Sequence, residues 1–320
     1  VPPPDVPHDR HPIAGALMVM GAAALFGLNG TVSKLVLDAG LGSLRLVQIR
    51  CTLAALLFVL LAARLDRDGL RVRRAEWPTL LVYGAFGLSM AQWLYLVAIG
   101  RMPVSIALLI EFTAPLLVAL WVKLVRGDDV HARVWVALAL CLSGLALVAE
   151  VWDGFTLDTV GVLAGMLSAV ALASYYLLGE RVLRTRGPVP AAALSFVVAT
   201  ALWAVVQPWW RFPASILAVD VDLDAATDGV LFGSVPVWAL VAWVVVLGTV
   251  APFWLVLGGL RRIGPTRTGL IGTLEPVLAG AVAWAVLGQV LTPVQVLGGS
   301  IVLAGVVIAE TARPAPPAPP

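Results

Sequence analysis

Residues 103–125 read PVSIALLIEFTAPLLVALWVKLV, an apolar run in which a single acid, Glu111, stands ahead of the first base, Lys123. At about 1.5 Å per helical residue the run crosses a hydrocarbon layer about 30 Å thick. It is too long and too evenly apolar for an alternating barrel strand. Pro115 sits inside it, which membrane helices tolerate better than soluble ones because neighbours re-satisfy the freed backbone group. Nine further runs of similar length surround it, at about 13–37, 43–64, 77–99, 132–151, 158–180, 189–210, 236–258, 265–287 and 293–311.

Composition agrees. Of 320 residues, 60% are apolar and 12% charged, too few charges to cover a soluble fold of this size. A net charge of +2 without a basic stripe leaves no footprint for nucleic acid. Cys51 and Cys141 lie in apolar runs and read as packing residues, so neither a disulfide framework nor a zinc site is expected. The Pro-rich tails 1–12 and 312–320 read as disordered. The first span outlasts a signal-peptide core and lacks its basic leader, so it reads as a helix that stays in the membrane.

The basic residues set an orientation. With the amino terminus inside, Arg10, Arg64, Arg67, Arg71, Arg73, Arg74, Lys123, Arg126, Arg133, Arg181, Arg184, Arg186, Arg261, Arg262, Arg267 and Arg313 all face the cytoplasm. Lys34, Arg45, Arg50, Arg101 and Arg211 fall outside, as does the acidic connection at 211–235. That alternation predicts a multi-pass membrane protein with both termini cytoplasmic.

A shift of 161 residues lays 77–144 on 238–305 without a gap, matching Trp77 with Trp238, Gly87 with Gly248, Arg101 with Arg262, Pro115 with Pro276 and Gly144 with Gly305. Gly15 matches Gly161 more weakly. Coincident Trp, Pro and Gly in one register point to an internal repeat. The expected fold is therefore all-α, ten transmembrane helices in two five-helix repeats, 13–151 and 158–311. An odd number of spans inverts the second half, an arrangement found in transporters that bind solute near the midplane.

Ionisable groups at membrane depth are costly and are kept for function by default. Glu111 and Glu275 lie roughly 12–15 Å along their spans, each just ahead of a helix-interior proline, Pro115 or Pro276. They fit a cavity for an amino-bearing solute or a proton, with the two prolines as hinges. The competing reading pairs Glu111 structurally with Arg50. Asn29, Gln92 and Tyr175 can supply hydrogen bonds, and Trp93 and Trp254 can wall a cavity or serve in packing. No catalytic residue, metal or cofactor is expected. His8, His11 and His131 lie outside the spans, and there is no phosphate-binding loop, nucleophile elbow or zinc-protease motif.

The stretches RMPVSIALLIEFTAPLLVALW (101–121) and RRIGPTRTGLIGTLEPVLAGAVAWAVLGQVLTP (261–293) resemble the EamA family of the drug/metabolite transporter superfamily. Within it, IEFTAP (110–115), PTRTG (265–269) and TLEP (273–276) look most like the bacterial threonine/homoserine exporters. The resemblance implies gradient-driven export of small metabolites, commonly amino acids, across the inner cell membrane from a cavity lined by spans 1, 3, 4, 6, 8 and 9. The partners implied are a small solute, protons and the lipid bilayer. Family repeats often carry Gly-Glu after the proline-bearing span, whereas this chain has Gly127-Asp128 and Gly288-Gln289. The rival readings are a non-transporting metabolite sensor or scaffold, and an intramembrane enzyme acting on lipid-linked substrates.

Overall fold

The computed structural model describes residues 12–102, 104–151, 158–226, 233–279, 281 and 292–311. Seven helices there are long and apolar enough to cross a membrane: α1 (Pro12–Asp38), α2 (Ser43–Leu65), α3 (Arg74–Ile99), α4 (Ser105–Leu124), α6 (Thr159–Leu183), α7 (Pro188–Val206) and α8 (Val237–Gly272). Two shorter apolar helices, α5 (Ala132–Val148) and α9 (Pro293–Thr311), join them. The chain is a polytopic, all-α membrane protein. One small antiparallel ribbon, β1 (Asp220–Asp222) with β2 (Ser234–Pro236), decorates the connection between α7 and α8.

The helices are apolar on their outer faces as well as their inner ones. Leu17, Leu56, Leu60, Leu163, Val205 and Val307 point outward and are exposed. A helix that is apolar all round suits hydrocarbon, where only internally hydrogen-bonded backbone can span. Inside, small residues let backbones approach. Helix α5 lies along α9, α1 along the second part of α8, α2 along α7, and α3 along α6. The α5–α9 seam is closest at Gly144 and Gly298, where a Cβ on either would fall 2.6–2.7 Å from the other's carbonyl oxygen. At the end that carries most of the arginines, buried Arg186 donates to Glu76 at 2.7 Å and to the Gly69 carbonyl at 3.0 Å. Arg126 pairs with Glu180 at 2.6 Å.

Regular α-helix is interrupted at five places among the described residues. Helix α3 widens into a π segment at Tyr83–Met90, and α8 does so at Val246–Val250. Helix α4 is broken by a turn at 112–113, just before Pro115. Helix α8 holds two helices that meet at Gly264, whose φ of +76° only glycine adopts without strain, followed by Pro265, which has no N–H to donate. A turn at 273–274 then precedes helix at 275–279.

This differs from the expected loop between 258 and 265. The helix continues to Gly264 because residues 259–263 are apolar or long-stemmed and pack on α1, where Gly259 sits against Val19. Residues 280 and 282–287 of the expected span 265–287, the tail residues 1–11 and 312–320, and the Gly288-Gln289 pair lie outside the described residues.

The α5–α9 seam gives a direct test. Gly298→Val would place side-chain atoms inside contact distance of Gly144 O and of Leu147 Cβ, 2.8 Å from the new Cβ. It should cost about 1–3 kcal/mol or more, read as a lower thermal midpoint in detergent. Gly299→Ala, whose methyl would meet Val277 Cγ1 at 3.3 Å, should cost far less.

Candidate functional site

The interruptions other than that at Gly264 matter because of what lies beside them. A cavity of about 120 Å³ is lined by α1, α2, α3, the broken α4, α6, α8 and the segment after it. That is room for several waters or one small solute. Its charged groups are Arg50, Glu111 and Glu275, and its neutral polar groups include Asn29, Ser33, Gln92 and Tyr95. Phe26, Tyr175, Tyr176 and Phe253 form an aromatic wall, with Phe253 edge-on to Phe26 at 5.4 Å and to Tyr175 at 5.8 Å.

Glu111 and Arg50 are each held by residues that do not themselves line the cavity. Ser168 on α6 donates to Glu111 Oε1 at 2.6 Å and also reaches the Ala91 carbonyl of α3 at 3.0 Å, so the acid is fixed on the α3–α6 flank. Glu111 itself ends the first helix of α4, and the turn behind it is closed by Thr113 Oγ1 donating to Ile110 O at 2.7 Å. Arg50, on α2, is buried and held by α8 beside α1. Its Nε donates to Thr249 Oγ1 at 3.1 Å and its Nη2 to Gly248 O at 3.3 Å, both within the π segment of α8. Gly248 must lack a side chain, because a Cβ there would collide with Asn29 Oδ1 at 2.0 Å. Gln92 donates to Leu88 O at 3.3 Å, while its buried Oε1 has no protein partner among the described residues.

The structure thus brings Glu111, Glu275, Gln92, Asn29 and Tyr175 to one cavity. It places the two tryptophans elsewhere. Trp93 packs edge-on against buried Trp203 at 5.9 Å, and Trp254 is 48% exposed on the outer face of α8. Both are amphipathic aromatics best accommodated by packing or by lipid, which explains the departure from the expected cavity wall. The structural pairing of Glu111 with Arg50 is not formed: among the described residues no ion pair includes either. Pro115 is buried and packs against Gly269, and Pro276 follows the turn at 273–274. Ser33, Ser168 and Arg50 were not expected at the site. Ser33 and Ser168 carried no sequence signal, and Arg50 was read as a partner for Glu111. Among the described residues no three His, Cys, Asp or Glu side chains gather as they would around a metal ion.

Comparison with known proteins now decides the family. The EamA-like transporter family matches twice in tandem, over residues 13–149 and 159–311. The chain belongs to the EamA-like transporter family. Among relatives of this EamA-like protein, an uncharacterized transporter from Archaeoglobus fulgidus is 28% identical over 289 residues, covering 88% of this chain and 92% of its own. The threonine/homoserine exporter RhtA of Escherichia coli is 30% identical over 247 residues, covering 76% of this chain and 75% of its own. A solved crystal structure shares the fold at a TM-score of 0.73 and 18% identity, over 93% of this chain and 96% of its own.

The hydrogen bond that fixes Glu111 in this EamA-like chain is open to test. Ser168→Ala removes the donor at 2.6 Å and should lower stability by about 1–2 kcal/mol in thermal unfolding. Trp254→Leu, on the outer face, should stay within about 1 kcal/mol of the wild type.

Proposed function

We infer that the protein is a secondary transporter of the inner membrane that exports small metabolites, amino acids such as threonine or homoserine, by alternating access. The observation that carries this reading is the cavity itself: acids and a base, unpaired with one another, around a space of small-solute size between the helices. The threonine/homoserine exporter RhtA among the relatives supports the substrate class. Glu111 and Glu275 receive the solute ammonium or a coupling proton, with Gln92, Asn29 and Tyr175 as further contacts and Pro115 and Pro276 as hinges.

Ten spans in two inverted repeats support the two-sided mechanism. Helix α8, at 36 residues, would be about 54 Å long if straight, nearly twice a hydrocarbon layer. Divided at Gly264, it gives one full span and the first eight residues of the next, which supports counting two spans here. Contacts also recur under the sequence shift. Gly15 lies against Arg262 and Ile263, and Gly161 against Arg101 and Met102, which are 161 residues earlier. Gly144 meets Gly298 and Val302, while Gly305 meets Ala137 and Cys141. Gly87 faces Tyr175 and Gly248 faces Asn29, and both glycines lie in π segments. Two such halves in opposite orientation have inward-open and outward-open shapes of similar energy, so modest binding energy shifts between them. The placement of basic residues puts both termini in the cytoplasm.

Cells overexpressing the chain should lose preloaded labelled threonine or homoserine faster than controls. Glu111→Gln and Glu275→Gln should each cut efflux at least about tenfold while membrane levels of protein stay normal. Unchanged retention across a panel of amino acids would sink the substrate class. Binding by purified protein without flux in proteoliposomes would favour a sensor.

A further inference from the structure

We propose that Arg50 is the carboxylate-recognising residue of this cavity, so that the site takes α-amino acids as zwitterions, with carboxylate at Arg50 and ammonium at Glu111 and Glu275. The proposal rests on the transport reading above and adds the chemistry that would select the solute. Arg50 sits about seven residues into α2, yet its guanidinium does not leave for the aqueous edge as long basic side chains do when they can. It is 5% exposed and lines the cavity, held by two hydrogen bonds to the π segment of α8. Those bonds use its Nε–H and one Nη2–H. Three of its five N–H groups have no protein acceptor among the described residues, an edge suited to the two oxygens of a carboxylate.

The arrangement of charge supports the same occupant. Glu111 is tied to the α3–α6 flank through Ser168, and Arg50 to α8 through Thr249 and Gly248. Opposite charges facing one low-dielectric space would gain by pairing, and these do not reach each other. A zwitterion placed between them satisfies both ends at once. A cation would leave the arginine facing an uncompensated space, and an anion would do the same to the acids. Gln92 Oε1, buried without a protein partner among the described residues, is a further acceptor for an ammonium.

The test uses purified full-length protein in proteoliposomes, with labelled L-threonine uptake competed by L-threonine, by its amino alcohol L-threoninol and by deaminated 3-hydroxybutyrate. Wild type should bind threonine at least about tenfold more tightly than either analogue. Arg50→Gln should abolish the preference over threoninol and keep the preference over 3-hydroxybutyrate. Arg50→Lys should restore part of the first. Thr249→Val, which removes a tether of Arg50 without removing the charge, keeps the test open if Arg50→Gln does not fold. It should weaken threonine binding more than threoninol binding. Threonine transport with equal affinity for threoninol in the wild type would overturn the arginine's role and leave the transporter reading standing. So would an unchanged preference in folded Arg50→Gln. Absence of binding or flux for every amino acid tried would overturn both.

Discussion

Hydrocarbon offers no hydrogen bonds, and that constraint organises the whole molecule. Nearly every backbone group must be satisfied within its own helix, so each departure from regular helix has to be covered by protein. The π segment of α3 and the turn at 112–113 supply Gly87, Leu88 and Phe112 to the cavity, Gly272 and Glu275 flank the turn at 273–274, and the π segment of α8 holds the cavity-lining Arg50. The carbonyl of Gly248, in one of these segments, accepts from Arg50. Backbone irregularity therefore creates the polar surface that a solute site in a membrane needs, and the surrounding helices keep it away from lipid.

Close approach of the helices follows from the same constraint. Without water to expel, helices associate by van der Waals contact and by short polar links, which favours glycine and alanine at the seams. The contacts of Gly144 with Gly298 and of Gly248 with Asn29 leave no room for a methyl group. Large side chains are turned outward instead, where lipid accepts them. That explains why tryptophans as prominent as Trp254 lie on the outer surface.

Much of the fold was readable from sequence because hydrophobic length and scarce charge report directly on membrane spans. Glu111 and Glu275 stood out for the same reason, since so few acids occur far from a loop. Helical phase was not readable. A helix apolar on every face has no stripe to show which side turns inward, so the sequence could not separate cavity-lining Gln92 from its neighbour Trp93. Arg50 presented a related difficulty: its depth was evident, but its partners, Thr249 Oγ1 and the Gly248 carbonyl, lie in a π segment that has no residue signature. The start of the next span at 265 was legible from Gly264-Pro265, but the helical run from 259 to 263 was not, because its two arginines read as a loop.

The two halves resemble each other in backbone more than in chemistry. Under the shift of 161 residues, Glu111 corresponds to Gly272 and Glu275 to Ala114, although the prolines that follow, Pro115 and Pro276, coincide. Glu111 and Gly272 both line the cavity, while Ala114 is buried in the core. Gln92 corresponds in the same way to Phe253, a polar group matched with an aromatic one, and both line the cavity. Fully symmetric acids would bring four carboxylates towards one small apolar cavity, where like charges cannot all be ionised without a heavy electrostatic cost. Divergence removes that cost while leaving the turns, the prolines and the glycine contacts in register. The two family repeats therefore match in their turns, prolines and glycine contacts while presenting different side chains to the cavity.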